Sequence, residues 1–295
     1  MRGAKPEKAL ERQLEAARIA PDGARLVVAC SGGPDSVALA SLIARLAGPH
    51  RWQPVLVHVN HGLRPSAWQD ECVVVSVAGR LGLRVVVRAV EPSARDEESL
   101  RKVRYATLVD AARELGAGHV LTAHTARDQS ETVLLALFRG TGLAGLAGIP
   151  ERRRLADGIE LVRPLLRMSF EALRLEVGAS GLPYARDPSN DDSRYRRNVV
   201  RRALEGLRTE FPRLDEAVAR CATIVAGELA APASSATRRK VRERLAAEVG
   251  LRDIPFERIE AALAARTGRR VHIKRGVEVI TGEHGADTRI SRRED

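Results

Sequence analysis

With 295 residues, 44% of them apolar, the chain is long enough to bury the core of one large or two ordinary globular domains; aromatics make up only 3%, so aliphatic side chains and alanine must fill that core. Lys and Arg (49) exceed Asp and Glu (38), and the net charge of +11 creates a field that attracts polyanions such as RNA; biased base composition is the alternative source of the arginine excess. Cys30, Cys72 and Cys221 are far apart, odd in number and form no Cys-x-x-Cys, which argues against a disulfide framework or a zinc site; nothing reads as a secretory leader or as an apolar run of ~20 residues, so no membrane partner and a cytoplasmic location are expected.

In chain order, residues 1–20 alternate charge and alanine like an amphipathic helix. Strand-like runs are then predicted at 26–30, 55–60, 85–90, 120–123 and 159–162, alternating with helical patterns. That rhythm predicts an α/β fold, a parallel sheet with helices on both faces, in which ligands bind beyond the carboxyl ends of the strands. Helices are predicted at 169–180, 197–208 and 213–229, then a linker over 230–237, further helices at 238–248 and 255–266, and a hairpin over 270–280 turning near Gly276. The predicted division is an α/β domain over 1–210, followed over 211–295 by a helical segment and a small C-terminal domain.

The first predicted strand runs into Ser31-Gly32-Gly33-Pro34-Asp35-Ser36 and then into a helix. Two glycines let the main chain approach a ligand, and the helix N-terminus offers unpaired amides and a positive dipole end, which together make an anion cradle suited to phosphate. The usual phosphate-loop lysine is absent, so a different nucleotide chemistry is implied. Asp35 is placed to hold Mg²⁺ on the phosphates, and Ser31 and Ser36 to hydrogen-bond them; a plain glycine turn capping a helix is the alternative.

Four further segments carry candidate polar groups, two of them at strand ends. The second strand leads into His58-Val59-Asn60-His61-Gly62-Leu63-Arg64, where His58 reads first as a satisfied core histidine, while the strand-end position places Asn60, His61 and Arg64 to touch a nucleoside or a departing pyrophosphate. Glu98, Arg101, Arg104 and Tyr105 fall within two turns of one helix, either as a salt-bridged surface or as guanidinium forks aimed at phosphates. The fourth strand leads through His124 into a helix start bearing Asp128 and Glu131, three residues apart and so on one face; they are ordinary dipole complements or, beside the nucleotide loop, a receptor for an ammonium group or a metal. Finally Arg194, Arg196, Arg197, Arg201 and Arg202 put five arginines within nine residues behind an acidic turn, a pattern suited to an RNA backbone or to a plain basic helix.

Ser31-Gly-Gly-Pro-Asp-Ser36 resembles the loop of the PP-loop ATP pyrophosphatases, whose domain is adenine nucleotide alpha-hydrolase-like. Together with His58 to Arg64, Glu98 to Tyr105, His124 to Thr132, Arg139-Gly-Thr-Gly-Leu-Ala-Gly-Leu, Arg163-Pro-Leu-Leu166, Asp187-Pro-Ser-Asn190 and Arg197-Asn198-x-x-Arg201, it is similar in order and spacing to the tRNA(Ile)-lysidine synthetases, over residues 25 to about 205. The resemblance implies ATP-dependent adenylation of carbon 2 of the wobble cytosine in a CAU-anticodon isoleucine tRNA, then attack by free L-lysine. It also implies a site: Asp35 on magnesium; Ser31, Gly32, Gly33, Pro34 and Ser36 around phosphate; and His58, Asn60, His61, Arg64 and Arg104 on the nucleotide. Asp128 and Glu131 would hold lysine; Arg101, Arg194, Arg196, Arg197 and Arg201 would face tRNA, with Arg201 and His124 also among the catalytic groups. The C-terminal region would dock tRNA, and a homodimer is possible. The chain departs from the family pattern at Arg127, where an acid is usual, and at Thr125, where a second histidine is often found. A PP-loop tRNA thiolase is the nearest rival, but would need paired cysteines; a small-molecule amide-forming pyrophosphatase and a non-catalytic RNA-binding module are further ones.

Overall fold

The structure is a computed structural model that describes Leu14 and residues 18–62, 67–91, 96–185 and 196–230, together with the strands at 270–274, 277–280 and 289–292. The predicted helices over 238–248 and 255–266, the linker and the turn at Gly276 lie outside the described residues. The chain divides into two compact units, residues 1–223 and 224–295.

In the first unit, β1 (Arg25–Ala29), β2 (Gln53–Asn60), β3 (Arg84–Ala89), β4 (His119–Leu121), β5 (Arg152–Ala156) and β6 (Ile159–Val162) form one sheet in the order β3-β2-β1-β4-β6-β5. All neighbours are parallel except β5, which is antiparallel to β6. Strand side chains alternate, and here both sides are apolar: Leu26, Val28 and Leu56 belong to one core with helix α1 (Pro34–His50) and helix α2 (Ala67–Leu81), while Val27 and Val57 belong to another with helix α3 (Glu97–Leu115). The predicted two-faced sheet is therefore present, but mixed. Strand β5 escapes sequence reading because three successive arginines open it; the charges suit an exposed sheet edge, and Arg152 pairs with Glu160 on the neighbouring strand.

The remaining described helices are α4 (Ala126–Phe138), α5 (Leu143–Leu146), α6 (Phe170–Ser180), α7 (Arg196–Glu210) and α8 (Leu214–Ala230). The Ser169 hydroxyl starts α6 by accepting the Ala172 amide at 3.1 Å. Glu176 of α6, 3% exposed, takes Arg45 of α1 at 2.6 and 2.9 Å and the Ser41 hydroxyl at 2.8 Å, which fixes α6 over the start of the sheet. Strands β1, β2 and β3 run outward one way from β1, and β4 and β6 the other, so β1 and β4 flank a topological switch point. The loops leaving both strands at their carboxyl ends carry the residues singled out above.

Within the second unit, β7 (Arg270–Lys274), β8 (Val277–Ile280) and β9 (Arg289–Arg292) form an antiparallel meander in the order β7-β8-β9. The hairpin matches the prediction; β9 was missed, being four residues, Arg-Ile-Ser-Arg, with a single apolar side chain.

Candidate active site

The loop after β1 is shaped by contact with α2. Gly32 has φ +89°, and a Cβ there would lie 3.2 Å from the Asp70 carbonyl oxygen and 3.6 Å from Val74, so both conformation and space require glycine. Gly33 is the N-cap of α1 and no side chain caps that end, which leaves the first-turn amides for a ligand. The Ser36 hydroxyl donates to the Gly33 carbonyl at 2.8 Å and lies 3.3 Å from the Ser31 hydroxyl, holding both serines at the rim.

This loop, the loop after β4 and the start of α7 enclose a crevice of about 590 Å³, within the range of small-molecule sites. Ser31, Gly33, Pro34, Asp35 and Ser36 line it, facing Arg104, His124, Arg127, Asp128, Glu131 and Arg201. Burial is the main force pushing the Asp35 carboxyl up to about 6; the Asp128 charge adds to it, Arg127 and Arg201 oppose it, and Glu131 adds further. A site that resists ionising a carboxylate in this way is one where a cation would be welcome. Among the described residues no group of three or more His, Cys, Asp or Glu forms an all-protein cage. One carboxylate beside a phosphate cradle fits Mg²⁺, which takes one or two carboxylates and completes its shell with phosphate oxygens and water.

Asp128 and Glu131 do share a face of α4, and the structure fills it with arginine. Arg197 donates to Asp128 and to Glu131, each at 2.6 Å, and Arg201 donates to both oxygens of Glu131 at 2.7 and 3.2 Å. Glu131 is 1% exposed, so these pairs are shielded from water, and the hydrogen bond to Glu131 is the main reason the Arg201 guanidinium is held still more firmly charged. Asp128 also accepts the Thr125 amide at 2.8 Å and its hydroxyl at 3.0 Å, starting the helix. Arg127 lines the crevice but is engaged by its own partners: its guanidinium stacks 3.3 Å from the centroid of the Phe170 ring and approaches Asp215 at 3.8 Å, and Asp215 in turn takes Arg208 at 2.8 and 3.1 Å.

His124 accepts or donates one hydrogen bond, with the Thr122 hydroxyl at 3.0 Å. Burial first, then the charges of Arg163, Arg104, Arg197 and Arg101, push its imidazole well below the usual histidine range, so it stays neutral at physiological pH. Of the four charges, Arg101, Arg104 and Arg197 were singled out in the sequence, and Arg163 was not given a role. Arg163, 1% exposed, donates to the Pro150 carbonyl at 2.6 Å and the Tyr105 hydroxyl at 3.4 Å, and Arg101, Arg104 and Arg153 surround the Tyr105 ring at 5.6, 5.5 and 5.1 Å. The only sequence signal was the Arg163-Pro-Leu-Leu166 motif; an arginine inside an apolar run is not by itself a site.

Other expected residues stand off the crevice. His58 is buried and its Nδ1 lies 2.9 Å from the Cys30 carbonyl, as a satisfied core histidine would. The Asn60 side chain accepts the Gly62 amide at 2.9 Å and shapes the turn. His61 Nδ1 is buried without a hydrogen-bond partner among the described residues, and burial followed by Arg104 and His58 lowers its pKa. Arg101, Arg196 and Arg197 line a second cavity of about 600 Å³, with Arg139, Thr132 and Thr141. Arg64, Arg194 and the Asp187 to Asn190 turn lie outside the described residues.

Comparison with known proteins agrees with this geometry. A family model described as a PP-loop domain matches residues 6–206. The tRNA(Ile)-lysidine synthase of Methylobacterium sp. (strain 4-46) is 45% identical over 188 residues, 63% of this chain and 54% of the relative. That of Salinispora tropica is 43% identical over 235 residues, 77% of this chain and 70% of the relative. That of Thermus thermophilus is 44% identical over 219 residues, 72% of this chain and 41% of the relative. The chain thus spans about half the length of the first two relatives it matches, at 54% and 55%. Among solved structures, the U34-tRNA thiolase NcsA from Methanococcus maripaludis with its [4Fe-4S] cluster superposes with a TM-score of 0.63 at 16% identity, covering 74% of this chain and 77% of that one, a likeness of fold.

Proposed function

Because this chain belongs to the PP-loop domain family and, within it, to the tRNA(Ile)-lysidine synthases, we propose that it makes lysidine on a CAU-anticodon isoleucine tRNA from ATP and free L-lysine. The carrying observation is that the uncapped phosphate loop with Asp35 and the acidic pair Asp128 and Glu131 open into one crevice. A phosphate cradle alone suits any nucleotide enzyme; an ammonium receptor beside it suits an amine nucleophile.

In this reading the loop amides with Ser31 and Ser36 hold the triphosphate, and Arg104 and Arg201 supply positive charge from the opposite wall. Mg²⁺ held by Asp35 would offset phosphate charge. The cytosine O2 attacks the α-phosphorus and pyrophosphate leaves; the lysine ε-amine then attacks carbon 2, the C–O bond breaks, AMP departs with the oxygen, and one proton is released. Neutral His124 offers a hydrogen bond without adding charge. Residues 211–295 are assigned to tRNA docking, and the reaction's substrates place it in the cytoplasm; among the described residues no helix is long and apolar enough to cross a membrane. A thiolase would need paired cysteines to carry sulfur or hold a cluster, whereas Cys30 lines the crevice with no second cysteine among the described lining residues, and Cys72 and Cys221 lie exposed on α2 and α8.

The test is ATP-dependent incorporation of radiolabelled lysine into a CAU-anticodon isoleucine tRNA transcript, with the elongator methionine tRNA as control. Incorporation into the first alone is expected. Pyrophosphate exchange without lysine transfer would point to another nucleophile. Asp35→Ala should abolish adenylation and leave tRNA affinity nearly unchanged; retained turnover would remove Asp35 from the metal role.

A further inference from the structure

Arg197 stands between a crevice lined by both acids and arginines and a second cavity lined by arginines without acids among the described residues. On one side its guanidinium bridges Asp128 and Glu131, which line the crevice. On the other it lines the second cavity, whose walls carry Arg101, Arg139 and Arg196, two threonine hydroxyls and, among the described residues, no acidic side chain. A cavity of about 600 Å³ so lined selects an anion with several oxygens, and the chain's positive net charge makes an RNA backbone phosphate the fitting guest. The Arg197 side chain is one-quarter exposed, against 1% for that of Glu131, so the arginine is the partner able to swing and the carboxylate is the one held in place.

We infer that Arg197 is a switch over which the acidic pair and an RNA phosphate compete: in the RNA-free protein its guanidinium occupies the receptor for the substrate ammonium, and RNA binding in the basic cavity withdraws it. The inference rests on the lysidine-forming reading for the identity of the amine, not for the competition itself. Two facts support it. The guanidinium fills both carboxylates at once, at 2.6 Å each, which is the place and charge an ammonium would take. Among the described residues the acid Arg201 pairs with is Glu131, so withdrawing Arg197 frees Asp128 and one lobe of Glu131 while leaving the buried glutamate compensated, avoiding the cost of an unpaired buried charge. The consequence is order: lysine enters after tRNA, and the adenylated base meets no waiting amine from an unprimed site. Arg197 is thus a positioning residue that acts through the acidic pair.

The experiment measures radiolabelled lysine binding to the full chain by equilibrium dialysis, without ATP so that nothing turns over. The wild type should bind lysine at least tenfold more tightly with the CAU-anticodon isoleucine tRNA than without it, and Arg197→Gln should bind lysine without tRNA as the wild type does with it. Measurable lysine binding by the wild type with equal affinity with and without tRNA would overturn the switch. A second measurement uses tRNA alone: Asp128→Asn should tighten tRNA binding several-fold in the Arg197 background and not in the Arg197→Gln background, a non-additivity that a purely structural role does not produce. Equal effects in both backgrounds would also overturn it. Lysine bound under none of these conditions, with the tRNA non-additivity intact, would keep the switch and reject lysine as the amine.

Discussion

His124 shows how a single residue links site and stability. Its folded pKa lies well below the unfolded value of about 6.5, so below pH 6.5 the unfolded chain binds a proton that the folded chain refuses. Stability is therefore fully present above pH 6.5 and falls as the pH drops below it, with a slope approaching about 1.4 kcal/mol per pH unit for this group. Chemical denaturation of the ligand-free chain at pH 7.5, 6.5 and 5.5 should show that loss, and His124→Gln should flatten it; an unchanged slope would mean the imidazole protonates freely in the fold. Arg127 teaches the complementary lesson. From sequence it reads as a positive charge among expected negatives, yet the side chain turns to the Phe170 ring and to Asp215, two partners 43 and 88 positions away that no local pattern reveals.

At the scale of elements, the Arg139-Gly-Thr-Gly-Leu-Ala-Gly segment works by close contact rather than by chemistry. A Cβ at Gly145 would sit 2.0 Å from the Thr141 hydroxyl and 2.8 Å from its Cβ, and that hydroxyl donates to the Ala136 carbonyl at 2.9 Å to end α4. Gly145→Ala should therefore lower stability by about 1–3 kcal/mol. Gly178, exposed on α6 with nothing within 4 Å of a new Cβ, is its control: Gly178→Ala should raise stability by about 0.4–1 kcal/mol. Thermal melts of both variants check the pair, and a neutral Gly145→Ala would show that the α4 to α5 turn yields. The same turn continues to Gly148 and Ile149, where the buried Gln129 side chain accepts the Ile149 amide at 2.7 Å and donates to its carbonyl at 3.1 Å, so α4 carries the wall of the basic cavity on one end and the acidic pair on the other.

For the whole molecule, charge is placed and not merely abundant. Of the arginines on α7, Arg197 and Arg201 pair with acids that line the crevice, while Arg196 lines the basic cavity beside Arg197. Arg196→Ala should weaken tRNA binding and reduce the slope of log affinity against log salt by about 0.7–0.9; an unchanged slope in a salt titration would take that cavity out of the RNA interface. The α/β architecture, the phosphate loop and the two acids on one helical face were legible in the sequence because each depends on local periodicity: alternation within a strand, glycines at a strand-to-helix turn, and the three-residue spacing that aligns side chains on a helix. The edge strand β5 was hidden by its arginines, whose place is set by the sheet edge rather than by their own pattern. Only the tertiary structure decided who meets whom across the crevice. It brought Arg197 and Arg201 from some seventy residues away onto Asp128 and Glu131, sent Arg127 to Phe170, and ringed Tyr105 with guanidiniums, because long-range charge pairing is settled by burial and geometry that a one-dimensional pattern does not carry.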